Sequence, residues 1–168
     1  MKLRYAIAVL SLSAAGLVGI VSNENYTDRA IIPAPGDVPT NGFGSTTRDD
    51  GSPLQLGDRT TPPKALAKAM RDLATYEGAM KRCVKVPLSQ DEYDIYADLT
   101  YNIGASAFCG STLVANLNAG DYHGACSQIL RWRYFNGRDC SLQENKTICG
   151  GLWVRRSTAA TRCLEAQK

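Results

Sequence analysis

Two carboxylic acids and a hydroxyl stand near the start of this chain, at Glu24, Asp37 and Thr40. Glu24 is its first acidic residue and follows a long uncharged run. A carboxyl at the end of an apolar helix is partly desolvated, which favours its protonated form and suits it to donate a proton to a leaving oxygen. That is the general-acid role in glycoside hydrolysis, which also needs a second carboxylate. Asp37 is the candidate for that second group, and Thr40, three residues on, offers a hydroxyl to position water. Carboxyls roughly 6.5–9.5 Å apart would leave room for a water and invert configuration, whereas a gap near 5 Å would retain it. The same residues have plainer readings: Glu24 as a solvated charge, Asp37 as a turn former making an Asx bond, and Thr40 as an ordinary strand residue.

Positioning these groups falls to a stretch that cannot form a long helix. Residues 29 to 61 carry Pro33, Pro35, Pro39 and Pro53 among five glycines. Pro35-Gly36-Asp37 reads as a turn between Ala30–Ile32 and Val38–Phe43, giving a small antiparallel hairpin or three-strand sheet. Helices follow. Thr61-Pro62-Pro63 opens one that carries Leu66, Met70, Leu73 and Tyr76 at helical spacing and runs to about Arg82. Ser89 with Glu92 forms a capping box ahead of Tyr93, Tyr96, Leu99 and Ile103, ending near Gly104. Ser111 or Thr112 opens a short helix through Leu117, Asp121 caps another through Trp132, and residues 151 to 165 make the last. The expected class is α+β, with a small N-terminal β-hairpin lobe, a larger C-terminal helical lobe and a cleft between them where a polymer could lie.

At 168 residues, 44% apolar and 21% charged, the chain fits one ordinary globular domain. Its net charge of +3 drops to +1 without Lys2 and Arg4, 17 basic against 16 acidic residues, which gives no ground for nucleic-acid binding. The six cysteines, at 83, 109, 126, 140, 149 and 163, lack C-x-x-C pairs, and the lone His123 cannot complete a Cys/His zinc site. No metal or cofactor is expected, and His123 reads as a surface residue. An even cysteine count favours disulfides in an oxidising compartment. Only Cys140 with Cys149, flanking a polar stretch that reads as a surface insertion, suggests its own pairing; the other four stay open.

Lys2 and Arg4 precede an uncharged run from Tyr5 to Ser22, which reads as a signal peptide or a marginal membrane helix. Both readings mean export. Ser11, Ser13, Ala14, Ala15, Gly16 and Gly19 keep the run only modestly hydrophobic, so membrane residence would be weak. Positive charge ahead of the run predicts a cytoplasmic N-terminus with the remainder translocated.

Several motifs carry a resemblance. The stretch from Glu24 to Thr46, ENYTDRAIIPAPGDVPTNGFGST, is similar to the catalytic hairpin of bacteriophage-type lysozymes, glycoside hydrolase family 24, with VPTNGFGST matching V-P-T-x-G-x-G-x-T. LTYNIGASAF (99–108), STLVANLNAGDY (111–122) and GACSQILRW (124–132) resemble the helical-lobe motifs of that family, and GGLWVRR (150–156) resembles its G-L-x-x-R-R signature. The likeness covers residues 24 to 164.

The resemblance implies an endolysin that hydrolyses the β-1,4 bond between N-acetylmuramic acid and N-acetylglucosamine in peptidoglycan and so lyses the host cell. By position, Glu24 takes the general-acid role and Thr40 the water-positioning role. The family's usual Asp, six residues before the Thr, is replaced here by Ala34, and the Glu24–Thr40 spacing is one residue longer than usual. Asp37 is the nearest available acid. Ala34 keeps two other functions in view, a lytic transglycosylase and a non-hydrolytic peptidoglycan-binding protein. Cleavage near Ser22 would strip away the helix that holds Glu24, so residues 1–23 are expected to persist as a signal-arrest-release anchor ahead of a lysozyme domain at 24–168. Residues 5–22 would sit transiently in the host inner membrane, on the periplasmic side of which the enzyme waits as a monomer. A holin or pinholin would then trigger its release into the periplasm. The segment from residue 1 to 23 has no cysteine, which excludes a release mechanism based on disulfide reshuffling within the anchor.

Overall fold

A computed structural model describes residues 2–33 and 36–168, so Ala34 and Pro35 lie outside the described residues. The chain divides into two compact units, one of residues 14–76 and one of residues 1–13 with 77–168. The α+β expectation holds: a two-stranded sheet belongs to the first unit and most of the helices to the second.

The smaller unit opens with α1 (Ala14–Asn23) and continues into β1 (Thr27–Ile31) and β2 (Thr40–Gly42), which pair antiparallel. The segment after β2 folds back along the free edge of β1. There the Ala30 amide donates to the Asp58 carbonyl at 2.8 Å and the Thr60 amide to the Asp28 carbonyl at 2.9 Å, and Arg29 bridges Arg59. Of the two expected alternatives, the hairpin is the one that forms: the sheet has two strands, and the segment beside β1 is irregular. α2 (Pro62–Cys83) begins on a proline, whose missing N–H is no loss in the first turn, and ends on Lys81 and Arg82, where cations complement the helix dipole. Its buried stripe is not the expected one. Leu66 and Met70 are exposed, while Ala65, Ala69, Leu73 and Met80 are buried. Gly42 explains the small residue at 65: a Cβ placed on it would lie 2.8 Å from the Ala65 Cβ, so strand and helix approach too closely there for a larger side chain.

The larger unit is built around α3 (Gln90–Ile103). The Ser89 capping box is formed in both directions, and Gly104, at φ 87°, ends the helix with its amide on the Thr100 carbonyl. Around α3 lie α4 (Ala105–Cys109), which the sequence reading missed, and α5 (Thr112–Asn118), capped by Ser111. They are followed by α6 (Tyr122–Gln128), capped by Asp121 and prolonged by one 3-10 turn to Arg131. A minute hairpin, β3 (Tyr134–Phe135) with β4 (Arg138–Asp139), precedes α7 (Lys146–Glu165). The latter starts earlier than 151 because a turn before its kink at Cys149 is also helical. Tyr93, Tyr96, Leu99, Phe108, Leu113, Leu117 and Ile129 form the buried centre. Disulfides join Cys83 to Cys109, Cys126 to Cys163 and Cys140 to Cys149, the last as expected. Such links stabilise by shrinking the unfolded ensemble.

The residues ahead of α1 are an integral part of this unit. Tyr5 and Leu88 exchange backbone hydrogen bonds of 2.8 and 2.9 Å, and Ile7 and Leu10 enter the core. The Leu12 amide donates to Glu77 at 2.8 Å, and Ser13 donates to Asp94 through its amide (3.0 Å) and its hydroxyl (2.5 Å). Most telling is Arg4, whose Nε and Nη2 donate to Glu92 at 3.0 and 2.8 Å. The Glu92 side chain is fully buried.

Two consequences are measurable. Gly42→Ala should destabilise by about 2 kcal/mol, through overpacking against Ala65 and a φ of 60°. In a chain of this length that lowers Tm by roughly 4–8 °C, readable by thermal denaturation. Burial alone pushes the Glu92 carboxyl up, but the Arg4 guanidinium, the Ser89 amide and Gln167 together hold it below the ordinary glutamate value of 4.5. A depressed carboxyl contributes its stability above the unfolded-state value and loses it as pH falls through the folded-state one. Glu92→Gln should therefore lower Tm at pH 7 and make Tm fall less between pH 7 and pH 3.

Candidate active site

Glu24 sits at the end of α1, where its amide donates to the Ile20 carbonyl at 3.2 Å and continues the helical pattern one residue past Asn23. Its side chain is half-buried. β1 begins three residues later, so the helix end and the hairpin are tied by the shortest of connections. Along the pair, Thr27 faces Gly42 and Ile31 faces Thr40. Three residues of β1 thus oppose the single Asn41 of β2, an irregularity of the kind that re-aims side chains beside functional sites. Thr40 is half-buried and lies two residues along β2 from Gly42, about 7 Å at the usual strand rise.

Asp37 stands apart from both strands. It is exposed, and its side chain makes no hydrogen bond to a described residue, so the Asx bond of a turn former is not seen among them. The family position of the missing acid, Ala34, lies outside the described residues.

The hairpin is pinned from behind by residues whose importance the sequence reading did not single out. Asn41 and Ser45 exchange backbone hydrogen bonds of 3.1 Å each way, and both are more than nine-tenths buried. The Asn41 amide donates to the Asp58 carbonyl at 3.4 Å, and the Ser45 hydroxyl to Asp72 at 2.9 Å, on α2. The rings of Tyr26 and Phe43 meet at 5.4 Å. Both Asn41 and Ser45 fall inside the VPTNGFGST motif, which is the signal that could have found them.

A basin of about 250 Å³ opens in the same unit, lined among others by Asn41, Ser45, Arg48, Asp49, Asp58, Arg59 and Lys64. Glu24, Asp37 and Thr40 do not line it. Of β2, Asn41 and Gly42 reach its wall. Its carboxylates are committed to ion pairs, Asp58 with Arg48 at 2.8 Å and Asp49 with Arg71, and are poorly placed to trade protons.

In the larger unit the Arg-Arg motif is mainly architectural. Arg155 pairs with Asp98 at 2.7 Å. Arg156 is buried, donating to the Trp132 carbonyl at 2.9 Å and to Asn102. Trp132 and Trp153 are half-buried, and His123 is exposed. Among the described residues no group of three or more His, Cys, Asp or Glu is placed to hold a metal ion, and no helix is long and apolar enough to cross a membrane.

The smaller unit thus sets an acid at a helix end, followed at once by an irregular hairpin that bears a hydroxyl and packs on a long helix. The family model described as phage lysozyme matches residues 21–158. The endolysin of Salmonella phage P22 is 34% identical over 74% of this chain and 85% of its own length. A SAR-endolysin of Escherichia phage 933W is 33% identical over 92% of this chain and 91% of its own. The endolysin structure from Escherichia coli O157:H7 phage FAHEc1 superposes with a TM-score of 0.77 at 29% identity, covering 94% of this chain and 95% of that one. The chain belongs to the phage lysozyme family, as a peptidoglycan-hydrolysing lysozyme of the endolysin type and the SAR kind.

The Arg156 contacts give a direct test of the architecture. Arg156→Lys cannot span both the Trp132 carbonyl and Asn102, and should cost about 2–3 kcal/mol in denaturant unfolding. An unchanged midpoint would mean that the buried guanidinium contributes no net stability.

Proposed function

We propose that this enzyme hydrolyses the β-1,4 bond between N-acetylmuramic acid and N-acetylglucosamine, with Glu24 as general acid, Thr40 positioning the attacking water and Asp37 as second carboxylate. The observation that carries the reading is the placement of Glu24 at the end of α1, one short connection from the hairpin that presents Thr40, within the stretch matched by the family model. Glu24 gives its proton to the glycosidic oxygen as the bond from that oxygen to the anomeric carbon breaks. Positive charge spreads over the sugar ring, and water held by the Thr40 hydroxyl adds to the anomeric carbon and loses its proton to the Asp37 carboxylate. Glu24 is reprotonated from solvent for the next cycle.

Residues 1–23 act in this reading as a signal-arrest anchor, and residues 24–168 as the lysozyme domain. Supporting it, residues 5 to 22 carry no charge although Val9 and Val18 are 74% and 61% exposed in the folded chain. A helix made only for a watery surface would place charged side chains there. The small-residue content suits a segment that lies in a bilayer first and on a protein later. Loss of membrane potential, caused by a holin or pinholin, frees the segment, and the enzyme passes from the inner membrane to the periplasm. The SAR-endolysin names among its relatives favour that route.

Mass spectrometry of the products, with the N-terminus of the enzyme read from the same sample, tests both parts. Reducing N-acetylmuramic acid ends and an intact N-terminus are expected. 1,6-Anhydro products would make it a lytic transglycosylase, and full activity in a form beginning after Ser22 would overturn the anchor. Glu24→Gln should lower turnover by about 10²–10⁴-fold. Asp37→Ala should lower it at least 10²-fold, and near-normal activity would move the second-carboxylate role elsewhere.

A further inference from the structure

The two cations ahead of the apolar run have partners in the folded chain that they cannot reach from a membrane. Lys2 pairs with Asp91. Arg4 holds Glu92 through two hydrogen bonds, donates to Gln167 at 2.5 Å, and stacks its guanidinium 3.6 Å over the Tyr122 ring. Both carboxylates lie in the first turn of α3. When residues 5–22 occupy a bilayer with their positive end in the cytoplasm, Lys2 and Arg4 are on one side of the membrane and Asp91 and Glu92 on the other. The docked and tethered states therefore exclude each other, and at least these two positive charges must cross the membrane between them.

We propose that Lys2 and Arg4 are the charges on which the membrane potential pulls to keep the enzyme tethered, and that Asp91 and Glu92 are the carboxylates that capture them on release. This rests on the anchoring reading above. Moving one positive charge outward against 100 mV, inside negative, is disfavoured by about 50-fold, and two charges by roughly 2,500-fold. Collapse of the potential removes that bias at once, with no contact to any releasing protein.

The receiving end is equally specific. Among the described residues Glu92 has one cationic partner, Arg4; the Ser89 amide at 2.7 Å and Gln167 at 2.8 Å add hydrogen bonds but no charge. A buried carboxylate left without its cation is strongly unfavourable. In the tethered enzyme this corner, the start of α3 with Gln167, is thus incomplete, and capture of Arg4 finishes it. Release and completion of the larger unit become one event, and the burial of the pair opposes return to the membrane.

The test uses the full chain in right-side-out membrane vesicles, with potassium gradients and valinomycin setting the potential and sedimentation separating bound from released protein. For wild type the released-to-bound ratio should rise by at least roughly 2,500-fold as 100 mV, inside negative, is dissipated. Lys2→Gln and Arg4→Gln, each removing one cation ahead of the run, should each reduce this rise by about 50-fold, while Arg4→Lys keeps the full steepness. Glu92→Gln should keep the steepness but release at least 10-fold less at zero potential. Unchanged steepness in both Gln variants at positions 2 and 4, or unchanged release in Glu92→Gln, would overturn the proposal while leaving a wild type that is tethered and freed by depolarisation. A wild type that never sediments with membranes, or that has lost its N-terminal segment, would instead overturn the anchoring reading and this inference with it.

Discussion

The buried carboxylate of Glu92 is the constraint around which the larger unit is organised. It closes the capping box of α3, and so fixes where the central helix starts. Its charge must be neutralised, and Arg4 does so from 88 positions away. Gln167, two residues past the end of α7, completes the set by donating to the same carboxylate and to the Cys163 carbonyl. One side chain thereby joins the beginning, middle and end of the chain. The backbone pairing of Tyr5 with Leu88 and the contacts of Leu12 and Ser13 with Glu77 and Asp94 extend the same seam. Acidic groups on one side and main-chain or cationic donors on the other hold down a segment that is otherwise apolar.

The smaller unit depends on close approach rather than on charge. Gly42 against Ala65 lets β2 press on α2, and Asn41 and Ser45 close the turn that follows. Thr40 is thus carried on a strand fixed on one side by packing and on the other by pairing with β1, while Glu24 leaves a helix end three residues before β1. The acid and the hydroxyl are thus held by different elements, each anchored independently.

What could be read from sequence was what local rules govern. Ser89 with Glu92 announced a helix start because both halves of a capping box lie within four residues, and Cys140 with Cys149 announced a pair because the loop between them is short. The second duty of Glu92 was hidden, since nothing local points to Arg4. The stripe on α2 was misread because Leu66 and Met70 outweigh Ala65 and Ala69 in hydrophobicity, whereas the tight strand contact selects for size. α4 has five residues and no side-chain cap, too little for a periodic signal. Glu24 and Thr40 were singled out through the resemblance of their stretch to a family hairpin. Asp37 was reached only as the nearest acid to Ala34, and its exposed position away from both strands could not be inferred from spacing.

The order of the disulfides along the chain sets a condition on how the protein matures. Cys83 finds its partner, Cys109, as the very next cysteine. Cys126 does not: Cys140 and Cys149 both come before Cys163, and their own link is nested inside the loop that Cys126 and Cys163 close. A polypeptide whose cysteines emerge in chain order into an oxidising space would present Cys140 to Cys126 as the earliest available thiol, and a bond formed then would be the wrong one. Correct maturation requires that α6 wait for α7, or that an early mispairing be reshuffled. Oxidant alone is therefore a poor substitute for a thiol-disulfide isomerase when this enzyme is refolded or secreted.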